Sequence, residues 1–103
     1  IAKAFPAIRF VLLGMGGEDW KAAISAAHSA TNIYLETSGL LDRAKLPAAV
    51  EAIGAHRILF GSGMPRMDPA AALGLIEDSS LSSEAKRRIL GVNARKLLGL
   101  EAE

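Results

Sequence analysis

Two apolar runs in this chain stop at a glycine, and a helix-like segment follows each of them. Ile8-Arg9-Phe10-Val11-Leu12-Leu13 ends at Gly14 and opens Gly14-Met15-Gly16-Gly17. Arg57-Ile58-Leu59-Phe60-Gly61-Ser62 ends at Gly63 and opens Gly63-Met64-Pro65. A third run, Asn32 to Ser38, lies between them. Nearly continuous apolar runs suit strands covered on both faces, as in parallel sheets. In such sheets the ligand sits at the carboxyl ends of the strands. Glycine carries no side chain, so Gly14 and Gly63 cannot act there as ligand, base or nucleophile.

The segments between the runs read as helices. Glu18 to Ala30 places Trp20, Ala23, Ile24 and Ala27 at helical spacing, with Glu18 and Asp19 at the positive end. Leu46 to Ile53 has Pro47 in its first turn and stops at Gly54. Asp68 and Pro69 form a cap and first position for Ala70 to Glu77. Ser82 caps Ser83 to Leu90, and Gly91 interrupts the pattern. Asn93 is then expected to cap a last short helix to Leu98, closed by Gly99. Ala2 to Phe5 reads as the tail of a helix stopped by Pro6.

The resulting order is β-α-β-α-β-α-α, and each crossover is long enough for a right-handed parallel connection. The expected strands cover residues 8–13, 32–38 and 57–62 of one domain, 1–103. Three parallel strands leave both sheet edges open. A doubly wound fold or a closed barrel needs more of them. The chain is therefore expected to belong to something longer that lacks its amino-terminal half here, or to self-associate. Leu12, Tyr34, Glu36 and Leu59 would point into a barrel, and in this chain they are expected to be exposed or covered by another chain.

Composition narrows the partners. Net charge is +1 and the basic residues are scattered, apart from Lys86-Arg87-Arg88 with Arg95-Lys96 beyond. On a helix that cluster is a solvated face, and no aromatic residue interleaves with it to stack bases. No nucleic acid is expected. Cysteine is absent, which excludes disulfides and thiolate metal ligands. No apolar run approaches the ~18 residues of a membrane span, and no signal peptide is visible. A cytoplasmic protein without membrane contact is expected.

Several motifs carry candidate chemistry. Gly14-Met15-Gly16-Gly17 follows a strand and precedes a helix, where backbone amides can cradle a phosphate. The dinucleotide fingerprint wants a third glycine where Asp19 stands, so a tight turn with close strand–helix packing is favoured. Ser62 lacks the flanking glycines of a nucleophile elbow, having Phe60 and Met64 instead. His28 is expected to border the packed face of its helix, and His56 lies before the third strand, at the pole opposite the strand ends.

Glu36 is the principal polar candidate. Strand alternation sets Tyr34, Glu36 and Ser38 on one face and Ile33, Leu35 and Thr37 on the other. A carboxylate between apolar neighbours is rarely buried without a partner. It is either a general base or ligand acceptor at the mouth of a site, or one half of a salt bridge to Arg57, Arg43 or another cation.

Together these segments resemble the carboxyl-terminal part of the amidohydrolase-related family. Its members are metal-dependent (β/α)8-barrel hydrolases and decarboxylases. Phe5 to Gly17 is similar to that family's Phe-Pro, strand, His-x-Gly-Gly segment, and Asn32 to Ser38 to the barrel strand that follows. Arg57 to Pro65 is similar to the strand ending Gly-Ser-Asp-x-Pro, and Ile89 to Leu100 to the closing helices. The resemblance implies a partial TIM barrel of the α/β class, three parallel strands with helices on the outer face. It implies a mouth lined by Gly14, Met15, Gly16, Glu36, Ser38, Ser62, Gly63 and Met64, with Glu36 as the catalytic candidate.

The resemblance also places a metal-binding histidine at Gly14 and a metal-binding aspartate at Gly63. No cofactor is therefore expected on this chain, although the family typically uses zinc or manganese. The implied function is hydrolysis or decarboxylation of a small organic molecule by the complete protein, with the usual metal ligands lost here. The alternatives are a non-catalytic small-molecule-binding or regulatory barrel and, third, a nucleotide-binding α/β module.

Overall fold

The computed structural model describes residues 1–39 and 44–100. Three strands form one parallel sheet in the order β1-β2-β3: β1 Phe10–Leu12, β2 Ile33–Glu36 and β3 Ile58–Leu59. In register, Phe10 pairs with Ile33, Val11 with Tyr34 and Leu12 with Leu35. On the other side of β2, Leu35 pairs with Ile58 and Glu36 with Leu59. Helices α1 (Trp20–Ser29) and α2 (Lys45–Ile53) make the two crossovers. Beyond β3 come α3 (Pro69–Glu77), α4 (Ser83–Arg87), a π-helical segment (Arg88–Val92) and α5 (Asn93–Leu97).

The core lies between the sheet and its crossover helices. Ala23 and Ala27 of α1 and Leu46, Ala49 and Ile53 of α2 pack with Ile33 and Leu35 of β2 and Ile58 of β3. Small residues on α1 let that helix approach the sheet closely, so an alanine-rich, aromatic-poor composition still fills the interior. The opposite face of the sheet is partly open among the described residues: Tyr34 is half-buried and Val11 is 36% exposed. The expectation that these strands are covered on both faces is corrected for that reason. Leu59 is corrected in the other direction. It is buried, as Ile58 is; Leu12 is corrected too, since it pairs with Leu35 and packs against the core on the helix side, so the inner face carries exposed Val11 with partly open Tyr34 and Glu36.

The strands are shorter than the apolar runs. Ile8 and Arg9 precede β1 because the Asn32 amide nitrogen lies 3.0, 3.1 and 2.8 Å from the carbonyls of Ala2, Phe5 and Ile8. That side chain gathers the entering segment into turns, including a 3-10 turn at Ala2–Ala4. Asp68 and Ser82 cap their helices as expected, accepting from the amides of Ala70 and Ala85 at 3.1 Å.

Gly91 and Asn93 differ from expectation. The helix does not break at Gly91; it runs from Ser83 to Leu97 and accommodates one wider π turn. Asn93 is not a cap. It is 4% exposed, and its amide donates to the carbonyls of Ala55 at 2.6 Å and Ile58 at 2.8 Å. The π turn sets Ile89, Val92 and Asn93 all toward the core. Arg57 does similar work next door. Buried in the strand-entry region, it donates from Nη1 to Ala30 O at 3.1 Å and Ile33 O at 2.8 Å. Among the described residues no helix is long and apolar enough to cross a membrane.

Candidate functional site

The carboxyl ends of the three strands meet at Glu36. It closes β2 on the face away from the crossover helices, as alternation requires, with Leu35 and Thr37 buried on the helix side. Glu36 Oε1 accepts from the Gly14 backbone amide at 3.0 Å and from the Ser38 hydroxyl at 2.6 Å. Gly14 is the second residue after β1, so a carboxylate from β2 fixes the exit of its neighbour. The other oxygen, Oε2, accepts no hydrogen bond among the described residues. It lies against Gly61, where a Cβ atom would fall on Oε2 and 2.6 Å from the carboxyl carbon. Gly61 therefore leaves the room that the Glu36 side chain fills.

Thr37 completes the mouth on the buried side. Its amide donates to Leu59 O at 3.0 Å, and its hydroxyl accepts from the Gly61 amide at 3.2 Å. Neighbouring residues of β2 thus reach both flanking strands, Glu36 toward β1 and Thr37 toward β3.

The salt-bridge reading of Glu36 is not what the structure shows for Arg57. That guanidinium serves carbonyls at the opposite pole, where burial lowers its pKa from the ordinary value and the nearby Tyr34 acts weakly the other way. Arg43 lies outside the described residues.

The structure brings Gly14, Glu36, Ser38 and Gly63 together. Gly14 (φ 64°) and Gly63 (φ 75°) hold left-handed conformations that favour glycine. A Cβ on Gly14 would stand 3.3 Å from Ser38 O. One on Gly63 would stand 3.2 Å from Gly39 N and 3.4 Å from Ser38 Cβ. The exit of β2 thus occupies the space beside both glycines. Ser62 Oγ accepts from the Met64 amide at 3.1 Å, a bond local to its turn.

Met15 and Gly16 stand elsewhere. Met15 is 0% exposed and belongs to the core, so it does not line the mouth. The left-handed residues from Gly14 to Gly17 reverse the chain and turn the Met15 side chain inward. Gly16 allows close packing, since a Cβ there would meet Ala23 Cβ at 2.6 Å. Met64 is 69% exposed. His28 and His56 are exposed, His28 on the solvent side of α1 rather than at its packed face.

Sequence reasoning missed Gly61 and Thr37. The parallel register carries a signal for Gly61. Glu36 pairs with Leu59, so the residue two further along β3 meets a carboxylate that leans toward the mouth.

The amidohydrolase family model matches residues 1–100. The chain belongs to the amidohydrolase family. Solved structures place its fold. An uncharacterised TIM-barrel protein from Bordetella bronchiseptica superposes with a TM-score of 0.83 at 24% identity, over 95% of this chain and 36% of that one. A dihydroxybenzoic acid decarboxylase from Polaromonas sp. JS666, with bound manganese and the inhibitor 2-nitroresorcinol, gives 0.75 at 23% identity over 95% and 36%. An amidohydrolase from Burkholderia multivorans with bound zinc gives 0.74 at 22% identity over 97% and 48%. No curated protein matches the chain.

This member of the amidohydrolase family is thus part of a (β/α)8 barrel, spanning 36–48% of the length of those proteins. Its three parallel strands fall within the segments expected from the sequence, each shorter than expected. A divalent ion does not fit the donors it offers at the mouth. Among the described residues no three His, Cys, Asp or Glu side chains gather. Gly14 and Gly63 supply no donor, the β2 exit fills the space beside them, and one Glu36 oxygen already has two hydrogen-bond donors.

Proposed function

We propose that this chain forms one side of the mouth of a (β/α)8 barrel that binds a small organic molecule, with Glu36 as the group that meets it. The observation that carries the reading is the asymmetry of the Glu36 carboxylate. Oε1 is anchored by the Gly14 amide and the Ser38 hydroxyl, while Oε2 keeps its lone pairs at the carboxyl end of β2. A carboxylate oriented through one oxygen can accept a proton or a ligand hydrogen bond through the other. Hydrolysis or decarboxylation of a small acid or lactone by the whole protein fits this geometry and the family. Glu36 would remove a proton from the attacking water, or hold a substrate hydroxyl.

Glu36→Gln tests this, because the amide oxygen can still accept from Gly14 and Ser38. The expected result is a fall in kcat/KM of about 10²-fold, the lower end for a lost general base, with little change in melting temperature. Aromatic carboxylic acids, esters and lactones make up the substrate panel. Equal turnover by wild type and variant on the substrate that responds would end the assignment.

A second reading is favoured by the side-chain-free positions 14 and 63, which remove two candidate groups from the mouth. On that reading the barrel binds its small molecule without turning it over. Ligand binding weakened by Glu36→Gln, with no turnover by wild type, distinguishes it.

The donor set also leads us to propose that this chain retains no divalent ion by itself. After extensive dialysis, elemental analysis is expected to find well below one zinc or manganese per chain. A stoichiometric ion would overturn this.

A further inference from the structure

A second pocket lies at the opposite pole of the sheet, where the chain enters the strands. Its volume is ≈ 380 Å³. Arg9 stands just before β1, Tyr34 on the inner face of β2 and His56 just before β3. Arg88, Asn93 and Lys96 come from the long carboxyl-terminal helix. Four segments distant in sequence thus deliver two guanidiniums, an ammonium, an imidazole and a phenol to one concavity. Among the described residues no aspartate or glutamate lines it.

The fixed geometry here comes from hydrogen bonds to backbone. Arg9 donates from Nη1 to Leu97 O at 3.1 Å, which ties the segment before β1 to the end of α5. Its remaining N–H groups are left for another acceptor. Asn93 is buried and fastened to the carbonyls of Ala55 and Ile58, so the floor is rigid. Arg88 contacts Glu84 through Nε at 3.1 Å, but Glu84 is shared with Arg87 at 2.9 Å. One carboxylate therefore faces two guanidiniums. Lys96 and His56 have no recorded ion pair or hydrogen bond among the described residues.

We propose that this pocket binds a small phosphate monoester. The charge requires an anion, and planar guanidiniums suit the oxygens of a phosphate. The volume is several times that of a bare oxyanion, and the Tyr34 ring and Leu97 supply an apolar wall for a small organic body. The site is independent of the Glu36 mouth, which stands at the other ends of the same strands.

The test is calorimetric titration of the whole protein with glycerol 1-phosphate and, in parallel, inorganic phosphate, at about 20 mM and about 200 mM ionic strength. Saturable binding of the monoester is expected. It should weaken several-fold at the higher salt, as a partly exposed ionic site does. Lys96→Gln, an exposed change that leaves the backbone ties intact, is expected to weaken it about tenfold. Arg9→Gln should weaken it further, and Arg9→Lys should restore part of the loss. Absence of saturable binding in low salt would overturn the proposal. So would equal affinity of wild type and Lys96→Gln when both melt at the same temperature. Inorganic phosphate binding as tightly as the monoester would overturn the monoester assignment and leave a simple oxyanion site.

Discussion

Replacing Gly61 by alanine is expected to disable the mouth while leaving most of the fold intact. The backbone of Gly61 is not left-handed, so alanine meets no conformational obstacle there. The obstacle is steric and specific: the new Cβ would fall on Glu36 Oε2. The carboxylate is the end of a flexible side chain, so it must swing away. Swinging breaks its bonds to the Gly14 amide and the Ser38 hydroxyl. Hydrogen bonds to a charged acceptor contribute about 1.5–3 kcal/mol each, and solvent recovers part of that at a half-open site. A net loss of about 1–2 kcal/mol of stability follows.

The functional loss is expected to be larger, about 10²–10³-fold in kcat/KM, because the base is removed from its place and not merely neutralised. A double-mutant cycle with Glu36→Ala checks the mechanism. Alanine at 36 leaves room for alanine at 61, so the stability cost of Gly61→Ala should shrink in that background. Additive costs would show that the collision does not occur.

The second large effect is expected at Arg57. The Arg57→Met variant keeps an unbranched stem in the core but removes the donor to Ala30 O and Ile33 O. These carbonyls belong to the turn before β2 and to its first residue, in a region where Arg57 is only 8% exposed. Two charge-assisted bonds are lost; Ala30 O keeps the Ile33 amide at 3.2 Å, while Ile33 O loses its side-chain donor. Against this stands the relief of no longer burying a cation, the same desolvation that lowers the guanidinium pKa. The loss dominates, by about 2 kcal/mol, since removing the donor leaves the Ile33 carbonyl unsatisfied. Thermal and urea unfolding measure it. A change under about 0.5 kcal/mol, the range of ordinary surface substitutions, would mean that water replaces the guanidinium at no cost. Arg57→Lys should recover little, because both bonds come from Nη1, which lies one bond farther from the backbone than a lysine ammonium reaches.

What could be read from the sequence, and what could not, divides along the range of the interactions. The alternation of runs and capped segments placed all three strands and the four main helical stretches, because periodicity and capping are local. Asp68 and Ser82 act as the caps their neighbours require. Period-two alternation put Glu36 on the face away from the helices. Long-range ties escaped this reasoning. Asn93 stands after the interruption at Gly91 with the side chain of an N-cap, so a cap is the local expectation. Its actual partners, Ala55 and Ile58, are more than thirty residues away. Ile8 belongs to an apolar run but not to β1, because Asn32 claims its carbonyl. Met15 looked like a mouth residue by its order in the chain. Its left-handed φ of 53° depends on the flanking glycines and turns the side chain into the core. Gly61 could be understood only once the register set a carboxylate over it.

The anchoring of Glu36 has an evolutionary consequence. One carboxylate is both the proposed reactive group and the tie that fixes the exit of β1 against β2. A substitution that removed its side-chain oxygen would loosen the scaffold together with the chemistry, so only glutamine could change the one without the other at position 36. Diversification is easier in the segment after β3. Met64, Pro65 and Arg66 are exposed, and their side chains make no recorded tie to the strands. A lineage exploring new ligands would change those residues first and hold residue 36 constant, and its specificity would be rewritten from the rim while the centre stayed the same.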